Sequence, residues 1–334
     1  MNNKKRQPVS ESDLNQMQWY LGEETVEDYQ DGILSRRAML KRLIVICGGS
    51  AAAATVLAAC GVPANAPVAA KPAEAPAATV PAATNAAGAA TPAAQSKSPL
   101  SVAANDPTIS TNDVTFAGDV DLMGYLAKPA KAGTYPGVIV IHENRGLTAH
   151  IKDVVRRLAK AGYVALAPDL VSRAGGTAKA APDQIAGLLG QAKPEELVKD
   201  LSAGVDYLLK QSGVKPGKVG VVGFCFGGAY TLRLAAANPV IGAAVSYYGP
   251  APQPVSQMTA TNAAILGQYG AKDARVNGTI PDMEKALKDA GKTFEQHVYE
   301  GAGHAFNNDT GANYNEQAAV PAWQATLDWF AKYL

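Results

Sequence analysis

The stretch Gly223-Phe224-Cys225-Phe226-Gly227-Gly228 decides the fold of this chain. Before it, residues 218–222 form an apolar run that predicts a buried β-strand. Behind it, residues 229–237 have helical spacing, which stops at Asn238-Pro239. A strand, a sharp turn and a helix therefore follow one another, with a cysteine at the turn. Cys225 at the turn holds a strained backbone conformation. Side chains at Gly223, Gly227 and Gly228 would collide with the neighbouring strand and helix, so glycine is needed at these positions.

This layout resembles the nucleophile elbow of α/β-hydrolases, with cysteine at the position where serine is usual. The N-terminus of the following helix favours negative charge, so the sequence predicts a lowered pKa and a reactive thiolate for Cys225. A buried structural cysteine in a Gly-rich turn is the alternative for these six residues taken alone.

Composition divides the 334 residues into three parts. Residues 1–60 are predicted to be a signal region, and residues 61–107 a disordered linker rich in Ala and Pro, which cannot bury enough apolar surface to fold. Residues 108–334 remain as one domain, long enough to bury a sizeable core. Strands alternate with helices in it, which predicts a mainly parallel sheet with helices on both faces.

Charge and cysteine content exclude several classes of function. The formal net charge of +1 offers no field that would favour nucleic acid. Cys47, Cys60 and Cys225 lie in unlike settings, without a C-x-x-C or a Cys/His cluster, so neither a metal site nor a disulfide framework is expected. The sequence indicates no cofactor, and we expect a monomer.

The N-terminal region has the pattern of an export signal. Residues 1–34 are polar, with an amphipathic helical pattern around residues 23–33, and no chemistry is assigned to them. Ser35-Arg36-Arg37 precedes a short apolar run, residues 43–59, and this twin-arginine pattern predicts export by the Tat machinery. The run of about 17 residues is at the lower limit for spanning a bilayer, so an uncleaved signal anchor is the alternative.

The end of the apolar run favours cleavage. Leu57-Ala58-Ala59-Cys60 resembles a bacterial lipoprotein box, in which the cysteine is lipidated on sulfur and becomes the new N-terminus. The resemblance implies a lipid anchor on Cys60, at the outer face of the bacterial cytoplasmic membrane.

A cysteine nucleophile needs a base near the thiol and an acid that orients the base, and in α/β-hydrolases the acid and then the histidine follow the nucleophile. His304 lies between flexible residues just past the last predicted strand, whereas His297 lies within that strand and is expected to be solvent-facing or structural. Asp273 is the first carboxylate after the preceding strand, with a turn or helix-capping role as its alternative. The sequence favours a triad of Cys225, Asp273 and His304.

Residues 108–334 as a whole resemble the dienelactone hydrolase (carboxymethylenebutenolidase) family. Five motifs in order carry the resemblance: Ile141-His142-Glu143-Asn144-Arg145-Gly146, Ala167-Pro168-Asp169-Leu170, Gly223-Phe224-Cys225-Phe226-Gly227-Gly228, Gly270-Ala271-Lys272-Asp273 and Gly303-His304-Ala305-Phe306. The resemblance implies hydrolysis of an enol-lactone or activated ester by Cys225, His304 and Asp273, through a thioester.

The resemblance also implies roles for residues around the thiol. Glu143 would contact the resting thiol and be freed on substrate binding, and Arg173 would bind a substrate carboxylate and hold that glutamate. Asn308 stands where the family has a second arginine. Arg145 is the candidate to replace that arginine.

The backbone N–H groups of Phe226 and Asn144 are expected to form the oxyanion hole. Two other functions share the same fold. The first is an exported carboxylesterase that acts on neutral esters. The second is a lipid-anchored binding protein without turnover, against which the complete set of Cys, His and Asp argues.

Overall fold

The chain folds into an eight-stranded sheet flanked by helices, and the structure, a computed structural model, describes residues 14–30, 32–62 and 97–334. The strands are β1 (Ile109–Ala117), β2 (Asp121–Pro129), β3 (Tyr135–Ile141), β4 (Val164–Pro168), β5 (Val214–Phe224), β6 (Ile241–Tyr247), β7 (Ala264–Gly270) and β8 (Phe294–Tyr299). The α-helices are α1 (Gln16–Gln30), α2 (Arg36–Cys47), α3 (Ser50–Ala59), α4 (Ala149–Lys160), α5 (Ile185–Gln191), α6 (Pro194–Leu209), α7 (Phe226–Ala237), α8 (Ala274–Asn277), α9 (Ile280–Asp289) and α10 (Glu316–Tyr333).

The sheet is mainly parallel, which confirms the prediction. Its strand order is β1-β2-β4-β3-β5-β6-β7-β8. β2 is antiparallel to both β1 and β4, and every pairing from β4 to β8 is parallel. The carboxyl ends of the parallel strands therefore lie at one edge, where open α/β sheets place their functional groups.

Helices cover both faces of the sheet, as the alternation of elements predicts. Gly137 of β3 pairs with Val219 of β5, and a Cβ on Gly137 would touch Leu208 of α6. Gly220 follows Val219 and therefore points to the opposite face, where a Cβ would touch Phe330 of α10. α6 and α10 thus lie on opposite faces.

The three N-terminal helices pack onto the rest of the protein. The apolar side chains of Met39, Leu43 and Ile46 on α2 are fully buried, and so is Val56 on α3. α2 contacts α1, α3 and α5, and α1 also contacts α5. Among the described residues no single helix is long and apolar enough to cross a membrane, although α2 and α3, bent by 114°, meet that requirement together by length and composition.

The predicted linker ends against the domain. Residues 63–96 lie outside the described residues. The Lys97 N–H donates to the carbonyl of Asp309 (3.2 Å), and the Val102 N–H donates to Oδ1 of Asp153 (2.7 Å). Arg157, buried between Asp153 and Asp309, bonds to both carboxylates, with its contact to Asp309 at 2.6 Å. Residues 97–102 are therefore attached to α4 and to the loop before α10.

The turn between β5 and α7 is packed so closely that glycine is required around it. Cys225 has φ 57° and ψ −118°. A Cβ on Gly223 would lie 2.1 Å from the carbonyl oxygen of Gly227, and one on Gly227 would lie 2.3 Å from that of Ile141. Both distances are far below the 3.0 Å that real Cβ contacts keep, so the start of α7 lies directly against the end of β3.

We expect Gly227→Ala to lower the free energy of unfolding by about 3 kcal/mol, because the atom it meets is sheet backbone, which cannot rotate away. Gly303→Ala is the matched control: its Cβ would meet nothing within 4 Å, and a change within about 0.5 kcal/mol is expected. Urea unfolding measures both variants. Equal stability of Gly227→Ala and wild type would contradict this packing.

Candidate active site

Three loops at the carboxyl edge of the sheet bring the predicted triad residues together. Cys225 follows β5, Asp273 follows β7 and His304 lies after β8. Nδ1 of His304 lies 2.6 Å from Oδ2 of Asp273, and a ring nitrogen of His304 lies within 4.8 Å of the sulfur of Cys225. A thiol, an imidazole and a carboxylate are thus grouped in the order that proton transfer requires.

Asp273 fills both roles that the sequence left open. Its Oδ1 accepts a hydrogen bond from the N–H of Val276 and caps α8, while Oδ2 binds His304. Burial raises the pKa of Asp273, but the hydrogen bond and charge of His304, the charge of Arg275 and the N–H of Val276 together outweigh burial and hold the pKa below its ordinary value. The carboxylate therefore stays charged and can orient the imidazole. His297 lies on β8, partly exposed, with its Nε2 3.0 Å from Glu295.

Two further side chains reach the thiol from α1, in the region to which the sequence analysis assigned no chemistry. The thiol of Cys225 donates to the carboxylate of Glu24, whose two oxygens each lie 3.4 Å from the sulfur. The Tyr20 hydroxyl lies 3.4 Å from the same sulfur and 3.4 Å from Nε2 of His304. Nδ2 of Asn144 donates to Oε1 of Glu24 (2.9 Å) and fixes that carboxylate.

α1 is held in this position by polar groups of the domain. The guanidinium of Arg275, two residues after Asp273, lies 4.5 Å from the centre of the Tyr20 ring and 3.2 Å from Oε2 of Glu27. At the start of α1, Arg233 donates to the side-chain oxygen of Gln16 (2.5 Å). The segment with Asp273 and Arg275 therefore both orients His304 and holds α1 over the thiol.

The thiol is less acidic than the sequence predicts. Burial raises the pKa of Cys225 to about 11, and the Glu24 carboxylate adds to the rise. The predicted lowering by the helix N-terminus is wrong, because desolvation and a neighbouring negative charge both oppose the thiolate. Because its pKa is about 11, the resting thiol keeps its proton at neutral pH. Burial acts most strongly to lower the pKa of His304, but the interactions with Asp273 and Cys225 together outweigh burial and hold that pKa well above its ordinary value, which makes the imidazole a strong base.

Glu143 does not contact the sulfur in the way the family resemblance implies. Its carboxylate accepts hydrogen bonds from Nδ2 of Asn308 (2.6 Å) and from the hydroxyl of Tyr248 (3.4 Å). Glu24 provides the carboxylate in contact with the thiol instead. Asn308, at the position of the missing arginine, lines the cavity and binds Glu143, but it brings no positive charge.

The remaining predicted residues divide into two groups. Arg145 is exposed and lines the cavity, Asn144 lines it too, and Phe226 follows Cys225 directly as the first residue of α7. Arg173 does not line the cavity. Its guanidinium makes two hydrogen bonds to Asp200, at 2.7 and 2.8 Å, so the structure does not bring it to the triad.

A polar cavity of about 610 Å³ lies beside Cys225. Four carboxylates line it, together with two basic side chains, and these six residues are Glu24, Glu27, Asp28, Glu143, Arg145 and Lys272. Burial, with the nearby Glu24, raises the pKa of Asp28 to about 6. The cavity wall near the thiol is therefore more acidic than basic.

Within the described part of the chain, one group of side chains has the spacing to hold a metal ion. The ligand atoms of Glu24, Cys225 and His304 all lie within 4.8 Å of one another. Cys225 and His304 are also the nucleophile and base of the proton relay, so a bound metal would take both out of the reaction.

A family model described as "Dienelactone hydrolase family" matches residues 122–334. The chain belongs to the dienelactone hydrolase family. It is a hydrolase of this type, and α1, α2 and α3 precede the part of the chain that the family model covers.

Individual relatives of this dienelactone hydrolase family member support the assignment. A "Putative carboxymethylenebutenolidase" of Salmonella typhimurium strain LT2 is 36% identical over 250 residues, which cover 70% of this chain and 92% of the relative. A "Probable 2-oxo-3-(5-oxofuran-2-ylidene)propanoate lactonase" of Bradyrhizobium sp. is 33% identical over 223 residues, 64% of this chain and 90% of the relative. The crystal structure of a "Putative Dienelactone Hydrolase" from Klebsiella pneumoniae subsp. pneumoniae MGH 78578 is 36% identical, with a TM-score of 0.63, and the match covers 67% of this chain and 99% of that one.

We expect the alkylation rate of Cys225 by iodoacetamide to keep rising with pH up to about 11, because the thiolate is the reactive form and its pKa is about 11. Glu24→Gln removes the negative charge at the sulfur and should shift the profile to lower pH. Glu23→Gln, on the same helix, is the control. Peptide mass spectrometry measures the adduct at Cys225 separately from Cys47 and Cys60. A wild-type rate that levels off below about pH 9 would contradict the raised pKa.

Proposed function

We propose that this protein hydrolyses an enol-lactone or an activated carboxylic ester, with Cys225 as nucleophile, His304 as base and Asp273 as the group that orients the imidazole. The observation that supports this most directly is the 2.6 Å contact between His304 and Asp273, combined with the separation of less than 4.8 Å between the His304 imidazole and the sulfur of Cys225. The three residues come from three separate loops, and their order along the chain is that of an α/β-hydrolase.

Acylation comes first in the proposed reaction. In its neutral form, His304 takes the thiol proton while the sulfur of Cys225 attacks the carbonyl carbon and forms a C–S bond. The backbone N–H groups of Phe226 and Asn144 would hold the oxyanion. The bond from carbon to the leaving oxygen then breaks, and His304 returns the proton to the leaving group. The product of this half-reaction is a thioester on Cys225.

Deacylation uses the same residues in the same roles. His304 removes a proton from water, whose oxygen attacks the thioester carbon. The C–S bond breaks, the carboxylic acid is released, and the thiolate of Cys225 takes the proton back from His304. Asp273 stays ionised throughout and stabilises the imidazolium that forms in each half.

The nucleophile limits the substrate class. A tetrahedral intermediate expels its better leaving group, and the thiol of Cys225, with a pKa of about 11, is close to a phenol, with a pKa of about 10. Enol and phenol oxygens can therefore compete with the sulfur as leaving groups, whereas alkoxides and amines are far more basic. Enol-lactones and activated esters are thus better substrates for this centre than simple alkyl esters or peptides.

The charges in the cavity favour a second candidate, an esterase for neutral substrates. Arg173 is bound by Asp200, and Asn308 stands in place of a carboxylate-binding arginine. Arg145 and Lys272 are the cavity cations left to bind a substrate carboxylate, and they face four acidic side chains. A panel of matched neutral and carboxylate-bearing lactones and aryl esters decides between the two candidates.

Cys225→Ala is expected to abolish hydrolysis of this panel, because no other group of the triad can form the acyl intermediate. The full-length chain should also accumulate a covalent adduct at Cys225, detected by rapid acid quench and mass spectrometry. Cys47→Ala, which removes a thiol outside the triad, is the control and should hydrolyse as wild type does. Turnover by Cys225→Ala equal to that of wild type would refute the mechanism.

We also propose that the protein is exported by the Tat machinery and anchored by lipid on Cys60, at the outer face of the cytoplasmic membrane. Ser35 caps α2 by accepting from the N–H of Ala38, which places the twin arginines at the start of that helix. Cys60 follows α3 directly and is partly exposed.

Cys60→Ala should abolish incorporation of a labelled fatty acid, because the lipid is attached to that sulfur. Replacing both Arg36 and Arg37 by Lys should retain the protein in the cytoplasm. Fractionation and fatty-acid labelling of the expressing bacterium measure both effects, with Cys47→Ala as the matched cysteine control. Unchanged labelling of Cys60→Ala would remove the lipoprotein proposal.

A further inference from the structure

The carboxyl group of Glu24 lies where the ester group of a substrate has to be. A thiol attacks a carbonyl carbon held about 3–3.5 Å away, and both oxygens of Glu24 lie 3.4 Å from the sulfur of Cys225. The Tyr20 hydroxyl is a third oxygen at 3.4 Å, and Cys225 is only 2% exposed. A substrate carbonyl can therefore reach the sulfur only after Glu24 has moved.

Glu24 makes the hydrogen bonds that the carboxylate of a bound reaction product would make in this site. One oxygen accepts from Asn144, and both accept from the thiol. Asn144 belongs to the loop whose backbone is the expected oxyanion donor. The side chain thus imitates the product that remains in the acyl site at the end of a hydrolytic cycle.

We infer that α1 is an intramolecular ligand of the catalytic centre, which places Glu24 in the acyl site and inhibits the enzyme until the helix leaves. This inference rests on the proposed hydrolysis by Cys225. The ligand is a carboxylate, supplied by the chain itself, and it competes with substrate for one position.

The contacts that hold α1 suit a reversible ligand. The ion pair between Glu27 and Arg275 is partly exposed, with Glu27 at 37%, and such pairs add little stability. The apolar attachment is shared between α1, where Met17, Leu21 and Val26 are buried, and α2. Val45 of α2 lies so close to Gly187 of α5 that a Cβ there would be 2.3 Å away. α2 therefore keeps α1 near the thiol, at a high effective concentration.

Removal of α1 and processing of the chain would be one event. The proposed cleavage before Cys60 releases α1, α2 and α3 together, since all three lie within residues 16–59. The precursor would then be inhibited inside the cell, and the exported enzyme would be free to accept substrate.

Full-length variants test the inference without any truncation. Glu24→Ala empties the acyl site and should raise kcat/KM for an activated aryl ester about tenfold. This is the change expected if Glu24 has left the site in only about a tenth of wild-type molecules and is absent from it in all molecules of the variant. Glu24→Gln keeps the shape of the side chain while removing its charge, and it should activate less than Glu24→Ala. Glu23→Ala is the control on the same helix and should behave as wild type.

A substitution far from the thiol gives an independent test. Gly187→Ala should force α2 away from α5 and loosen α1, which raises both kcat/KM and the hydrogen exchange of amides in residues 16–30. Leu188→Ala is the matched control, since that side chain on α5 is exposed. Alkylation of Cys225 by N-ethylmaleimide should raise the same exchange, because the adduct takes the space of Glu24.

The outcomes separate this inference from the proposed function. If wild type hydrolyses esters as fast as Glu24→Ala, or if Glu24→Ala is slower, the inhibitory role is refuted while the hydrolase remains. If no variant turns over any ester, the proposed function fails. In that case, increased exchange in residues 16–30 after alkylation still supports α1 as a ligand of the site, and unchanged exchange refutes it.

Discussion

Cys225 can occupy its turn only because Gly223 and Gly227, two residues before and after it, carry no side chains. Its φ of 57° is unfavourable for any residue with a Cβ, and the contacts of Gly223 and Gly227 with neighbouring backbone leave no alternative path for the chain. This constraint fixes the sulfur at the edge of the sheet. The base and the acid, which come from longer loops after β7 and β8, then have to be brought to it.

Two opposing effects set the protonation state of the Cys225 thiol: the helix N-terminus favours the thiolate, and burial favours the thiol. The N-terminus of a helix stabilises a neighbouring anion by about 0.3–1 kcal/mol. The rise in the pKa of Cys225 from 9.0 to about 11 corresponds to roughly 3 kcal/mol against the thiolate, and burial is its largest cause. Burial therefore prevails over the helix as long as α1 covers the sulfur and Glu24 stays charged beside it.

The fold, and the grouping of Cys225, Asp273 and His304 at one edge of the sheet, could be predicted from the sequence because each depends on local patterns. The elbow, the alternating strands and helices, and the loops with Asp273 and His304 are all visible over short windows of sequence. Contacts between distant parts of the chain carry no such pattern. Glu24 is 201 residues from Cys225, and Asp200, the partner of Arg173, is selected by the packing of α6. The amphipathic spacing in residues 23–33 indicated a helix there, but it contains no information about what that helix would cover.

The bend between α2 and α3 has a further consequence. Met39, Leu43, Ile46 and Val56 are buried against the protein, and a bilayer would offer the same side chains an equally apolar environment. These side chains cannot pack on the protein and lie in a bilayer at once, so the two arrangements exclude each other. Packing on the protein therefore weakens membrane binding, and membrane binding weakens packing by the same free energy. A lipid surface that binds α2 and α3 would draw α1, and with it Glu24, away from Cys225. The membrane would then control access to the thiol without contacting the catalytic domain.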